Sequence, residues 1–187
     1  MVERRGTNPV GLEWTSKTSR SLLTRGEMLL KAGEAEDARA LAASVLERDR
    51  EHLPALELYA RALWQLKDMA GLQEVVPRMI RLNPYEPGYH ALKGSVHFQL
   101  GQFAEAIDSY ERSLQFPARP EESVRASVAA LREYQQALAA SLLEENQVFR
   151  AKYAQDPEQA VQSLGLRVGP NGETPEYRPV PKVVRPS

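Results

Sequence analysis

The sequence predicts an all-α chain: stacked helical hairpins, then one long helix, then an extended tail. Three observations carry this expectation. Laid against itself at an offset of 34 residues, the chain aligns Gly26 with Ala60 and Gly94, Leu22 with Leu56 and His90, and Leu29 with Leu63 and His97. The same register continues through a turn position (Gly33, Lys67, Gly101) to Ala38, Leu72 and Ala106, and then to Leu46, Ile80 and Leu114. A constant offset held over three units without a gap marks structural repeats. Finally, residues 121–156 contain neither glycine nor proline and carry an apolar stripe at helical spacing.

Taken in order, residues 1–15 read as a flexible lead-in, broken by Gly6, Asn8-Pro9 and Gly11. Trp14 is placed to anchor it, and Thr15 or Ser16 to cap the first helix. Each repeated unit then reads as two short amphipathic helices. Leu22, Leu29 and Ala32 share a face of the first. The small residue at Gly26, Ala60 or Gly94 lets the second helix approach closely. A turn glycine supplies positive φ without a Cβ penalty, and Ala38 and Ala106 sit where two helices cross. One hairpin is too thin to bury its own apolar face, so neighbours must stack. The middle unit departs most. Lys67 replaces the turn glycine, Leu72 replaces the small crossing residue, and Pro77 falls inside the second helix. Proline there removes one backbone hydrogen bond and costs roughly 3 kcal/mol in a regular helix, so a kink or break near Gln73–Pro77 is expected.

From Glu121 the stripe Val124, Val128, Leu131, Leu138, Leu142, Phe149 and Tyr153 predicts one long helix over 121–154. Pro120 and Glu121-Glu122 mark its start. It caps the last apolar face, and its surplus length is available to reach back over a groove or to form a homodimer seam. Asp156-Pro157 opens a short helix to Leu164, which Gly165 ends. Residues 165–187, with prolines at 170, 175, 179, 181 and 186, favour extended or polyproline II backbone. Tyr177, Val180, Val183 and Val184 give this tail something to bury, so it either stays free or docks on the domain.

Composition closes off several functions. The net charge is −1, so no bulk field recruits nucleic acid or an anionic membrane. The first 18 residues carry three Lys/Arg and two Asp/Glu, and the last 23 carry four and two, which leaves the body mildly acidic. With no cysteine in the chain, disulfides, thiolate nucleophiles and Cys-ligated zinc are excluded. No apolar run suits a signal peptide or a membrane span, and a cytoplasmic location is expected.

Residues Gly94, Gly101, Phe103, Ala106, Tyr110 and Leu114, with Asn83-Pro84 before them, carry a resemblance to the tetratricopeptide repeat family. The resemblance implies a right-handed superhelix of three hairpins, with repeats at 19–52, 53–86 and 87–120 in a domain spanning 16–164. The capping helices then fall at 121–154 and 157–164. It also implies a non-catalytic adaptor that binds a peptide segment of a partner on the concave face lined by the first helices. The residues projecting there are Arg20, Leu23, Glu27, Leu30 and Lys31 in the first unit, and Glu57, Arg61, Trp64 and Gln65 in the second. The third adds Ala91, Ser95, Phe98 and Gln99. Leu30, Trp64 and Phe98 align at the 34-residue offset as an apolar ridge, and aromatic and arginine side chains suit a peptide hot spot. The other placement for Trp64 and Phe98 is between hairpins or under the long helix. Many members hold the acidic C-terminal tail of heat-shock chaperones in a clamp of lysines, asparagines and an arginine. The matching positions here hold Leu23, Glu27, Leu58, Gly88 and Leu92, so no such carboxylate clamp is expected.

No residue set points to catalysis, a cofactor or a metal. His90 and His97 lie seven apart on one helix, about 10.5 Å along its axis, too far to share one metal with bonds near 2 Å. His52 falls in an inter-unit loop, where solvation is expected. The acidic pairs sit at helix starts or on polar faces, and both Gly-rich phosphate-loop patterns are absent. Two further roles fit such repeats: a regulatory domain of a bacterial transcriptional regulator, or an envelope or secretion assembly factor. The first needs a DNA-binding domain beside it and the second an upstream signal.

Overall fold

A computed structural model describes residues 16–116 and 121–166. The expected lead-in at 1–15, with Trp14 and Thr15, and the tail from 167 onward lie outside the described residues. These contain nine α-helices and no strand, and none of the helices is long and apolar enough to cross a membrane. The chain divides into two compact units, one ending at Leu82 and the other beginning at Asn83.

The first unit comprises α1 (Ser16–Ala32), α2 (Ala35–Leu46), α3 (Leu53–Gln65) and α4 (Met69–Leu82). Its core around α1, α2 and α3 consists of Leu30, Ala35, Ala38, Ala42, Leu58 and Ala62. Alanines dominate because the helix axes approach closely where they cross. Gly26 serves the same end, though not against its own hairpin partner. A Cβ there would meet Leu58 Cδ2 of α3 at 2.4 Å, so the close approach at this position is to the next hairpin's first helix. Leu72 is buried in α4, and the small residue is displaced by one position to Gly71, where a Cβ would lie 3.1 Å from the Leu63 side chain.

The break expected near Pro77 does not occur: α4 is a continuous helix from Met69 to Leu82 with Pro77 inside it. Gln73 and Pro77 lie on the exposed face, so the hydrogen bond that proline cannot donate is missing where water has access. Leu72, Val75, Val76 and Met79 bury the opposite face and hold the helix together.

The second unit comprises α5 (Pro87–Gln99), α6 (Phe103–Leu114), α7 (Glu121–Glu145), α8 (Gln147–Gln155) and α9 (Pro157–Gln162). Helix α5 begins at Pro87 after Glu86, whose carboxylate accepts the Gly88 N–H. Ala106, Ile107 and Tyr110 of α6 pack against Val124, Val128 and Leu131 of α7, so α7 covers the α5/α6 hairpin. The single helix expected over 121–154 is two helices. Asn146 leaves the helical conformation (φ −111°, ψ 103°), and its side chain accepts the Phe149 N–H at 3.0 Å as the N-cap of α8. Arg150 donates to the Leu143 and Glu144 carbonyls, which end α7. The apolar stripe survives the interruption because Leu143, Phe149 and Ala160 form one buried cluster. Asp156 caps α9 through the Gln159 N–H, and Gly165 turns the chain at φ 67°.

The three hairpin turns share one backbone geometry at 34-residue intervals. The N–H groups of Glu34, Asp68 and Gln102 donate to the carbonyls of Leu29, Leu63 and His97, each at 2.9 Å. Between them, Gly33, Lys67 and Gly101 adopt φ of 84°, 57° and 72°. This is the Schellman closure of a helix C-terminus. Lys67 makes the turn without glycine, and Asp68 adds a side-chain cap to the Gly71 N–H at 2.9 Å.

Candidate functional site

In the second unit the turn after α5 and the covering helix α7 enclose an open cavity of about 620 Å³. Phe98, Gln99, Phe103, Tyr110, Leu131 and Tyr134 form most of its wall. Its position follows from the turn. Gly101 reverses the chain so that Phe98, near the end of α5, and Phe103, the first residue of α6, come together at a ring separation of 6.1 Å. Phe103 also meets the Tyr134 ring edge-on at 5.1 Å. Phe98 remains 45% exposed and Tyr134 49% exposed, so two of the three rings present apolar surface to solvent. Partly covered aromatic rings of this kind serve as anchors for an incoming chain. Behind them, Tyr110 is fixed by a hydrogen bond of 3.0 Å between its hydroxyl and Ser95 Oγ.

The expected groove residues fall into different environments. Phe98 and Gln99 line the cavity. Ser95 stands behind it, half-buried and bonded to the Ala91 carbonyl and to Tyr110, so it braces the wall. Ala91 packs into the α6/α7 core. In the first unit Leu30 is a core residue at 3% exposure, and Leu23 packs against the same cluster. Leu30 therefore leaves the proposed ridge: its position on α1 points inward against α2 and α3. Trp64 is 38% exposed and Lys31 and Gln65 are exposed, with Gln65 Nε2 donating to the Leu30 carbonyl at 3.3 Å. Glu27 and Arg61 form an ion pair in which Arg61 Nη1 reaches both carboxylate oxygens, at 2.6 and 2.7 Å. Arg20 is exposed and Glu57 half-buried.

The sequence expectations did not include Tyr134, and named Phe103 and Tyr110 only as carriers of the family resemblance. Tyr134 lies seven positions after Ser127 and three after Leu131, both cavity residues, so helical spacing would have placed it on that face. The histidines are structural in their contacts. His90 Nε2 is 2.9 Å from the Pro84 carbonyl and its ring stacks on Phe116. His97 Nδ1 is 2.6 Å from Gln102 Oε1. His52 departs from the solvated role expected of it: its Nδ1 accepts the Ala55 N–H and caps α3. Among the described residues no group of three or more His, Asp or Glu could hold a metal ion.

No family model matches this sequence, and no curated protein matches it. Solved structures do. The first tetratricopeptide domain of Spaghetti (RPAP3), bound to the HSP90 peptide SRMEEVD, superposes with a TM-score of 0.59 at 22% identity, over 69% of this chain and 99% of that one. The first such domain of human RPAP3 gives 0.56 at 20% identity, over 62% and 90%. The chain has the tetratricopeptide repeat fold. Within that fold, the positions expected to match a chaperone-tail clamp hold no cation. Leu58 is buried against Gly26, Leu23 packs on the same core, and Glu27 is an acid already paired with Arg61. Gly88 is exposed and Leu92 half-buried.

Proposed function

We propose that this tetratricopeptide-fold chain is a non-catalytic interaction module that takes a short apolar peptide segment of a protein partner in the cavity between the α5/α6 turn and α7. The observation that carries the reading is the half-exposed aromatic pair Phe98 and Tyr134 about the Phe103 ring. A cavity of about 620 Å³ is of the size that holds a few side chains. A solved relative in fold binds a peptide, which supports this class of ligand. An apolar ligand is favoured over an acidic one such as SRMEEVD, because the positions matched from the sequence to a carboxylate clamp (Leu23, Glu27, Leu58, Gly88 and Leu92) carry no cation. Assembly through α7 is less favoured: Val124, Val128, Leu131, Ala139 and Leu143 already bury its apolar face within the unit.

The test is a peptide array probed with the full chain and with Phe98→Ala and Tyr134→Ala. Peptides carrying aromatic, aliphatic or proline side chains are expected to bind. Each substitution is expected to weaken them by roughly tenfold or more, as for a hot-spot residue, with unchanged thermal melting. Capture that is indifferent to both substitutions, or micromolar binding of SRMEEVD, would overturn the reading.

A further inference from the structure

The C-terminal end of the described chain lies beside the aromatic cavity. Leu166 is 3% exposed and buries its side chain with Ala139 and Val161 in a cluster to which Phe103 also belongs. Phe103 is at the same time a wall of the cavity. One ring thus links the anchor of the C-terminal segment to the site. The backbone enforces this placement: after α9, Gly165 takes φ 67° and the Leu166 N–H returns to the Val161 carbonyl at 3.3 Å. That turn directs Leu166 back onto α7.

Residues 167–187 follow, and their chemistry suits the cavity. From residue 173 onward, Tyr177, Val180, Val183 and Val184 are the apolar side chains, interleaved with Pro175, Pro179, Pro181 and Pro186. Proline-rich segments present a preformed extended helix, and aromatic-lined grooves are the surfaces that bind it. Reach is not limiting. Tyr177 lies eleven positions after Leu166, about 34 Å at 3.1 Å per residue if extended. Gly169-Pro170-Asn171-Gly172 supplies a turn sequence by which the chain can double back.

We propose that the segment Tyr177–Val184 of the same chain occupies the Phe98/Phe103/Tyr134 cavity and competes there with peptides in trans. This rests on the reading of the cavity as a peptide site, and it adds a regulator to that site. Tethering makes weak contacts sufficient. A short tether gives an effective concentration on the order of 1 mM. A segment with an intrinsic dissociation constant of about 0.1 mM would then fill roughly nine sites in ten and weaken a competing peptide about tenfold.

The experiment compares the full chain with a full chain carrying Tyr177→Ser, Pro179→Ser and Val180→Ser, both checked for the same helical content by circular dichroism. Aromatic NMR signals of Phe98, Phe103 and Tyr134 are expected to shift between the two. A synthetic peptide spanning residues 173–185 is expected to bind the substituted chain about tenfold more tightly than the unsubstituted one. Identical ring signals together with equal affinity would overturn tail docking while leaving the cavity a peptide site. Failure of the peptide to bind either chain would also overturn it, and the array result with Phe98→Ala would then decide the broader reading alone.

Discussion

Gly94 of α5 lies against the ring of Tyr110 in α6: a Cβ at Gly94 would stand 2.6 Å from Cδ1 and 2.8 Å from Cε1 and Cγ. Tyr110 has little room to yield. Its hydroxyl is held by Ser95, and its ring belongs to the core shared with α7. Gly94→Ala is therefore expected to destabilise the second unit by about 1–3 kcal/mol, the usual cost of overpacking a filled core, despite the better helix propensity of alanine. Gly26→Ala should cost less. Its obstacle is Leu58 Cδ2, the end of a rotatable side chain, and the propensity gain of about 1 kcal/mol offsets part of the strain. Urea titrations of the two variants check the order; a larger loss for Gly26→Ala would refute it.

The three turn residues make a second comparison. At Gly33 and Gly101 a Cβ would find nothing within 4 Å, so space is not what requires glycine there. Positive φ is. Lys67 holds the same backbone at φ 57° and carries the left-handed cost of an L-residue, about 1 kcal/mol. Lys67→Gly is expected to stabilise the first unit by about 0.5–1 kcal/mol, and Gly33→Ala and Gly101→Ala to destabilise by a similar amount. Shifts in denaturation midpoint with unchanged slope would measure this. Destabilisation by Lys67→Gly would show that the lysine side chain contributes more than its strain costs.

Leu30 and Trp64 occupy equivalent positions in the 34-residue alignment yet differ in burial, 3% against 38%. Leu30→Ala should cost about 2–5 kcal/mol, as for a core leucine. Trp64→Ala should cost less, because over a third of its surface remains in water. Thermal melts separate the two: a loss at Trp64 equal to that at Leu30 would make the tryptophan a core residue.

That divergence marks the limit of what the alignment could disclose. The offset located the helices and turns because backbone geometry recurs with it, down to the Leu29, Leu63 and His97 acceptors. Burial does not recur with it, because a side chain's environment depends on which element covers it, as α7 covers the α5/α6 hairpin within its unit. Hence Phe98 could be picked out as a candidate while Tyr134, which completes its cavity from α7, could not be reached by the repeat argument. Pro77 and Asn146 taught opposite lessons about helix breaking. Proline on an exposed face was absorbed by buried neighbours, whereas an asparagine with no breaker beside it ended a helix, because its side chain and Arg150 together satisfied both helix ends.

The Asn146 junction makes the last prediction. Its side chain satisfies the Phe149 N–H, and Arg150 satisfies the Leu143 and Glu144 carbonyls across the same break. Removing an N-cap costs about 1 kcal/mol. The loss should be local, since Phe149 remains tied to Leu143 and Ala160. Asn146→Ala is expected to speed hydrogen exchange at the Phe149 amide by roughly fivefold, while Asn146→Asp, which keeps the acceptor, leaves it near the starting rate. Arg150→Ala should loosen the end of α7 without changing exchange at Phe149 to the same degree. Equal protection at Phe149 in Asn146→Ala and the unsubstituted chain would mean that packing alone sets the break, and that the asparagine merely occupies it.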